Sequence, residues 1–254
     1  KYSIDALENR LREKFPKGLR ENLFPSLAKL CEKGQHTFFR KGATLLNSLA
    51  LDPAMGFYLT NSQITDSQWC ELVTPEFAGR LGHYHPANIT LDAYDKADGI
   101  DHLSKILYTD LKTYLPGGIL VKVDRMSMAN SLEVRAPILD KDVIEFAATL
   151  PSQMKFKHGE KKHILKEAFK PLLPDDVLYR KKMGFSVPLA TWLRQHIKTI
   201  AEHYFFATKH GIYDYFKRDT ILVWWEEHQS GKSDHSNVLW SLLMFQMWYD
   251  RWMK

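Results

Sequence analysis

The chain has 254 residues, a net charge of +5 and a pI near 9.0. With 44% apolar and 26% charged residues it has the makeup of a globular protein large enough for one or two cores. Its basic excess is spread along the chain with no run of five cations, which argues against a nucleic-acid stripe. Its two cysteines, Cys31 and Cys70, cannot build a disulfide framework and fit part-buried thiols in a reducing, cytoplasmic setting.

The chain opens on Lys1 directly in a helical pattern, with no signal peptide, and reads as cut from a longer protein. Residues 1–50 predict two or three helices broken at Pro16, Pro25 and Gly34. Tyr2, Ile4, Leu7 and Leu11 fall on one face of the first. Residues 51–95 are rich in turn formers (Asp52-Pro53, Asn61-Ser62, Thr74-Pro75, Gly79, Gly82) and predict short helices joined by loops. His83 and His85 have no further ligands at helical spacing, so two surface histidines are the better reading. Asp92, Asp95, Asp98-Gly99 and Asp101 fail a calcium-loop pattern, because Tyr94 and Lys105 stand where its first and last ligands belong. The plain reading is a polar loop and an N-cap at Asp101.

Residues 100–115 predict a helix with Leu103, Ile106, Leu107 and Leu111 on one face, stopped by Pro116-Gly117-Gly118. A second helix runs from near Ile119 to near Ser131. Across residues 110–140, Lys122, Asp124, Arg125, Glu133, Arg135 and Asp140 are threaded through a pattern that otherwise looks like core. Charges in such a setting are costly unless paired or liganded. The segment is therefore an ion-paired scaffold or the wall of a site for a charged ligand. Asp124 and Arg125 are expected to pair with Arg135 and Glu133. Ser127 has no general base at a recognisable spacing and is rejected as a nucleophile.

Pro137 pushes residues 133–136 into an extended path. Asp140 or Asp142 caps the next helix, and Asp142 with Glu145 also fits a capping box. Residues 160–169 predict a helix after Gly159. The loop 179–188 presents Arg180, Lys181 and Lys182 beside Gly184, with Phe185 and Val187 as anchors. It suits a polyphosphate, or it is a solvated basic turn. Helices fill the rest, with Trp192, Trp224, Trp225, Trp240, Trp248 and Trp252 assigned to a core. The apolar stretch 238–249 is too short to cross a bilayer, which takes about twenty residues.

The segments YLPGGILVKVDRMSMANSLEVRAPILD, GEKKHILKEAFKPLLPDDVL, LYRKKMGFSVPLATWL and LWSLLMFQMW, in this order and spacing, resemble the C-terminal part of glutamine-dependent asparagine synthetases. The resemblance is strong over 100–254 and weak over 1–99. It implies a mostly α fold, the helical C-terminal portion of an α/β synthetase domain of the PP-loop ATPase type. Residues 1–254 would form one fragment of that domain: 1–99 helical and variable, 100–200 bearing the site, 201–254 the closing helices. The glutaminase domain with its N-terminal cysteine, the SGGxDS loop and the GxGxDE segment are absent.

The implied reaction adenylates the aspartate side chain with ATP and Mg2+, and ammonia from glutamine then displaces AMP to give asparagine. Both ATP and metal would be held mainly by residues outside this chain, so the fragment alone is expected to be inactive. Lys182 matches the family lysine that contacts the nucleotide phosphates, and a fixed ammonium there would stabilise charge building on the leaving pyrophosphate. Lys122 falls where the family commonly has a cation near the reacting centre. Arg180 is a supporting phosphate-side residue. Many members carry acidic residues where this chain has Gly117-Gly118, which leaves the acceptor open. The alternatives are an adenylating amidotransferase acting on another carboxylate, such as a surface polysaccharide, and a helical binding module without chemistry. Small-molecule substrates are expected, with neither nucleic acid nor membrane as partner, and a homodimer is the assembly envisaged.

Overall fold

The computed structural model of the chain describes residues 2–32, 37–181, 187–207 and 211–253. In chain order the helices are α1 (Tyr2–Lys14), α2 (Lys17–Glu32), α3 (Thr37–Ala50), α4 (Pro53–Asn61), α5 (Asp66–Leu72), α6 (Pro75–Leu81), α7 (Ala87–Asp95), α8 (His102–Lys112) and α9 (Val121–Met128). They continue with α10 (Lys141–Thr149), α11 (Ser152–Lys155), α12 (His163–Phe169), α13 (Asp175–Leu178), α14 (Leu189–Arg194), α15 (Lys198–Glu202), α16 (Ile212–Tyr215), α17 (Arg218–Ser230) and α18 (Ser236–Trp252). Among the described residues the only sheet is a hairpin of β1 (Phe156–Lys157) and β2 (Glu160–Lys161), paired antiparallel. The fold is mostly α, as the sequence predicts.

The chain forms two compact units: Lys1–Asn61 with His85–Lys181, and Ser62–Tyr84 with Lys182–Lys254. In the first, α2 and α3 make a helical hairpin, α1 packs on α3 and α8, and α4 packs on α7 and α8. Phe24, Ala28, Leu49, Phe57 and Ile106 form its buried apolar interior. Caps set several starts. Asp101 Oδ1 accepts from the Ser104 amide at 2.8 Å at the head of α8, and Asp140 Oδ1 from the Asp142 amide at 2.9 Å at the head of α10.

α1 inverts the expected pattern. Leu7 is 53% exposed, whereas Asp5, Glu8 and Arg12 are 3%, 2% and 4% exposed. Those three share one helical face, one turn apart, and each finds a partner brought from far along the chain. Ser48 Oγ donates to Glu8 at 2.6 Å, and Arg12 Nη2 donates to the Ser48 carbonyl at 3.0 Å and reaches Glu8 at 3.4 Å. His102 Nε2 lies 2.8 Å from Asp5, and its Nδ1 lies 2.8 Å from the Tyr94 hydroxyl. The Tyr2 hydroxyl donates to Asp110. Burial pushes the Glu8 carboxyl and the Tyr2 and Tyr94 hydroxyls up; the Asp110 hydrogen bond and charge add to the Tyr2 shift.

Other expectations change as well. Pro25 lies inside α2; Gly34 lies outside the described residues. Pro116-Gly117-Gly118 do not stop the helix: Leu115–Leu120 is a π-helical turn that leads into α9. Residues predicted as the first turn of a helix at 160–169 form β2 instead, and α12 starts at His163. Here His158, Gly159 and Lys162 take positive φ (48°, 83° and 58°), a backbone that turns the chain back on itself.

In the second unit Phe205, Leu193, Ile212, Ile221, Leu239 and Leu243 are fully or almost fully buried around Trp224 and Trp225. α5 and α6 join this core through the bridge between Val73 and Phe216 and the Thr74 amide bonded to the Tyr215 carbonyl at 2.9 Å. Of the tryptophans assigned to a core, Trp224 and Trp225 are buried and Trp192 and Trp240 half-buried, while Trp248 and Trp252 are exposed. Cys70 is exposed rather than part-buried, and Cys31 is half-buried. No helix among the described residues is long and apolar enough to cross a membrane.

Candidate functional site

Segment 110–140 is where the sequence concentrates charge, and the structure places its charges on the surface rather than in a core. Lys122, Asp124, Arg125, Glu133, Arg135 and Asp140 are all exposed. The desolvation argument for pairing them therefore lapses, because water solvates each one. Glu133 accepts from Arg135 Nε at 2.7 Å, so these two pair with each other. Among the described residues Asp124 and Arg125 make no ion pair, contrary to expectation. Ser127 Oγ donates to the Asp124 carbonyl at 3.1 Å. Met128, Ser131 and Val134 line a shallow hollow with Asp124, Glu133 and Arg135.

Lys122 stands on the first turn of α9, directly after the π-turn, and its side chain meets no described hydrogen-bond or ion-pair partner. Gly117 in that turn has open space where a Cβ would stand, whereas a Cβ on Gly118 would come 3.2 Å from the Tyr114 ring.

The second cationic region lies in the same unit. Lys166 of α12 reaches Glu160 at 3.0 Å and sits 4.7 Å from the centre of the Tyr179 ring. Glu160 also meets His163 Nδ1 at 2.7 Å, and the hydrogen bonds from His163 and then Lys166 hold its carboxyl below the usual range. The β1–β2 hairpin and α12 are thereby tied to Tyr179, whose neighbours Arg180 and Lys181 are exposed. Exposed Lys161 and Lys162 belong to the same basic surface. Residues 160–169 read as plain helix in the sequence, and the Gly159 turn marks where the hairpin departs from that reading.

Arg180 makes no described side-chain ion pair, and no hydrogen bond or ion pair joins it to Lys122. Lys182, the candidate phosphate contact, lies outside the described residues, as do Gly184 and Phe185. His85 Nδ1 accepts from the Ala87 amide at 3.1 Å. No three His, Cys, Asp or Glu side chains converge as metal ligands among the described residues.

The family model for asparagine synthase matches residues 4–250, nearly the whole chain. The chain belongs to the asparagine synthase family. It is 31% identical over 241 residues to a Bacillus subtilis protein named asparagine synthetase [glutamine-hydrolyzing] 1, covering 93% of this chain and 36% of that relative. It is 35% identical over 211 residues to a Mycobacterium bovis protein named putative asparagine synthetase [glutamine-hydrolyzing], covering 82% of this chain and 31% of that relative. The asparagine synthase stretch described here therefore spans about a third of these relatives' length. No solved structure gives a significant match.

Proposed function

We propose that these residues are the back part of the synthetase domain of an ATP-dependent, glutamine-dependent amide-forming ligase. The observation that carries this reading is the family match over residues 4–250. In the reaction, a carboxylate oxygen of aspartate attacks the α-phosphorus of ATP and the bond to the departing pyrophosphate breaks. Ammonia released from glutamine then attacks the activated acyl carbon, and AMP leaves with the carboxylate oxygen. Glutamine hydrolysis, the adenine site and most of the phosphate cradle would come from the portion of the relatives that this chain does not span. The PP-loop fold belongs to that portion as well.

The chemistry of the described cations suits phosphate oxygens. Lys122 and Arg180 are exposed and unpaired among the described residues, and a guanidinium can meet a phosphate with two parallel donors. Mg2+ would shield phosphate charge when bound. The described residues offer no cluster to hold it. Lys182 is proposed as the ammonium facing the leaving pyrophosphate, with Lys122 on the side of the reacting carboxylate.

Adenylation of a different carboxylate is the second reading, and Gly117-Gly118 favours it. Where many family members carry acidic side chains, this chain has none, although Gly117 has room for one. The test is pyrophosphate release from ATP by a polypeptide that joins this chain to the remaining synthetase and glutaminase portions. Release with aspartate supports the first reading, release with sugar acids alone the second, and release with no acid tested refutes both. Lys182→Ala should abolish release while glutamine hydrolysis continues; undiminished release would remove Lys182 from the site.

A further inference from the structure

α1 grips α8 at both ends. At the start of α8, His102 stands between two partners, its Nε2 2.8 Å from Asp5 of α1 and its Nδ1 2.8 Å from the Tyr94 hydroxyl of α7. In its last turn, buried Asp110 accepts from the Tyr2 hydroxyl, beside fully buried Ile106 and Thr109. A hydrogen bond to a carboxylate is strong, and more so where water is kept away. Burial, and then the Asp110 hydrogen bond, push the Tyr2 hydroxyl above its ordinary range, so it stays a donor through neutral pH. From this end the backbone continues hydrogen-bonded into the next element. The Thr113 amide donates to the Thr109 carbonyl at 2.9 Å, the Gly117 amide to the Thr113 carbonyl at 3.3 Å, and the Val121 amide to the Pro116 carbonyl. α9 packs chiefly on the π-turn, and the turn packs on α8.

We infer that Tyr2 and Asp5 are positioning residues for Lys122: they fix the two ends of α8, and the rod of α8, π-turn and α9 carries that setting to the ammonium. The catalytic consequence rests on the proposed reaction, in which Lys122 stands on the side of the reacting carboxylate; the geometric part does not. Leverage makes the base of the rod matter. Lys122 lies roughly 15–18 Å along the helical path from Asp110. A tilt of a few degrees at Asp110 therefore moves the ammonium by about 1 Å, and a displacement of about 1 Å can cost about a hundredfold in rate. The placement of the contacts supports positioning over simple bracing. The carboxylate bond falls on the last turn of α8, directly ahead of the π-turn, where it governs the direction in which the chain leaves. Tyr2 also suits the task, because a rigid side chain with two rotatable bonds transmits position better than a flexible one.

The test has a geometric arm and a kinetic arm. For the first, nitroxide labels are placed on exposed positions of α7 and α9 by Asp92→Cys and Met126→Cys, with Cys31→Ser and Cys70→Ser to remove the native thiols. Electron–electron double resonance should give a narrow distance distribution with Tyr2 in place and a severalfold broader or shifted one with Tyr2→Phe, at unchanged helix content by circular dichroism. A lowered melting temperature with an unbroadened distribution would make Tyr2 a structural tie only and overturn the inference. If Tyr2→Phe does not fold, Asp110→Asn takes its place. It keeps the volume and weakens the bond to a neutral one, and an unbroadened distribution again overturns the inference. For the second arm, Tyr2→Phe is made in the polypeptide that joins this chain to the remaining synthetase and glutaminase portions. There kcat for pyrophosphate release should fall about tenfold to a hundredfold, while KM for ATP and glutamine hydrolysis hold; an unchanged kcat would remove the catalytic consequence. Failure of the unsubstituted polypeptide to release pyrophosphate would count against the proposed reaction, and the distance measurement would then decide the positioning by itself.

Discussion

Gly211 has a φ of 83°, a region that L side chains rarely adopt, and its amide donates to Asp214 at 2.8 Å to start α16. A Cβ there would stand 2.7 Å from both Gln246 Oε1 and Tyr249 Cδ1. Gln246 is fully buried and accepts from the neighbouring Ile212 amide at 2.7 Å, so it has little freedom to withdraw. Gly211→Ala therefore adds backbone strain to a steric clash, at a cost of about 2–4 kcal/mol. Urea unfolding of the variant should show that loss, whereas Gly79→Ala, in open space on α6, should stay close to wild type. How far single residues could be read from the sequence depended on how locally they act. Asp101 and Asp140 were legible as caps because a cap bonds an amide two or three residues away. The αL geometry of Lys162 was not, since nothing in a lysine announces positive φ.

At the level of elements, α1 shows why periodicity can mislead. The spacing of Tyr2, Leu7 and Leu11 marks an apolar stripe, yet the helix buries Asp5, Glu8 and Arg12. What decides the matter is a set of partners, Ser48, Tyr94 and His102, that lie tens of residues downstream and leave no trace in the local pattern. The arrangement makes Arg12 indispensable to its neighbour. Arg12→Leu would leave Glu8 buried without its cation, a situation that costs about 3–5 kcal/mol. Chemical denaturation should show this, and adding Glu8→Gln should recover part of the loss; a single variant as stable as wild type would mean that Glu8 is already protonated. Segment 110–140 misled in the opposite direction. Its apolar residues look like interior, yet Met126, Met128, Leu132, Val134 and Ile138 are exposed in this chain, and the charges between them are exposed as well.

Across the whole molecule, acid sensitivity should begin at a histidine. His228 in the second unit is fully buried; its Nε2 meets the Ala190 carbonyl at 3.3 Å and its Nδ1 accepts the His235 amide at 3.3 Å. Burial, aided by the nearby Arg194 charge, pushes its pKa down. The neutral ring is thus favoured in the folded state, so the unfolded chain takes up a proton first as pH falls. Its contribution is present above the ordinary imidazole value of about 6.5 and is lost as pH drops from there toward the folded value. Melting temperature measured from pH 8 to pH 5 should fall in wild type and stay flatter in His228→Gln. Carboxylates held low, such as Glu227 beside Lys232 and His235, act only in more acidic solution.

The π-turn at Leu115–Leu120 has a consequence for everything that follows it. Each such turn inserts one residue into a helical path, and one residue corresponds to about 100° of rotation. α9 consequently leaves α8 out of phase, with Lys122 facing a different quadrant than an uninterrupted rod would give it. Removing either glycine from this turn would restore the ordinary winding and swing Lys122, Asp124 and Arg125 together to another azimuth. The spare residue thus acts as an angular offset that aims three charged groups at once.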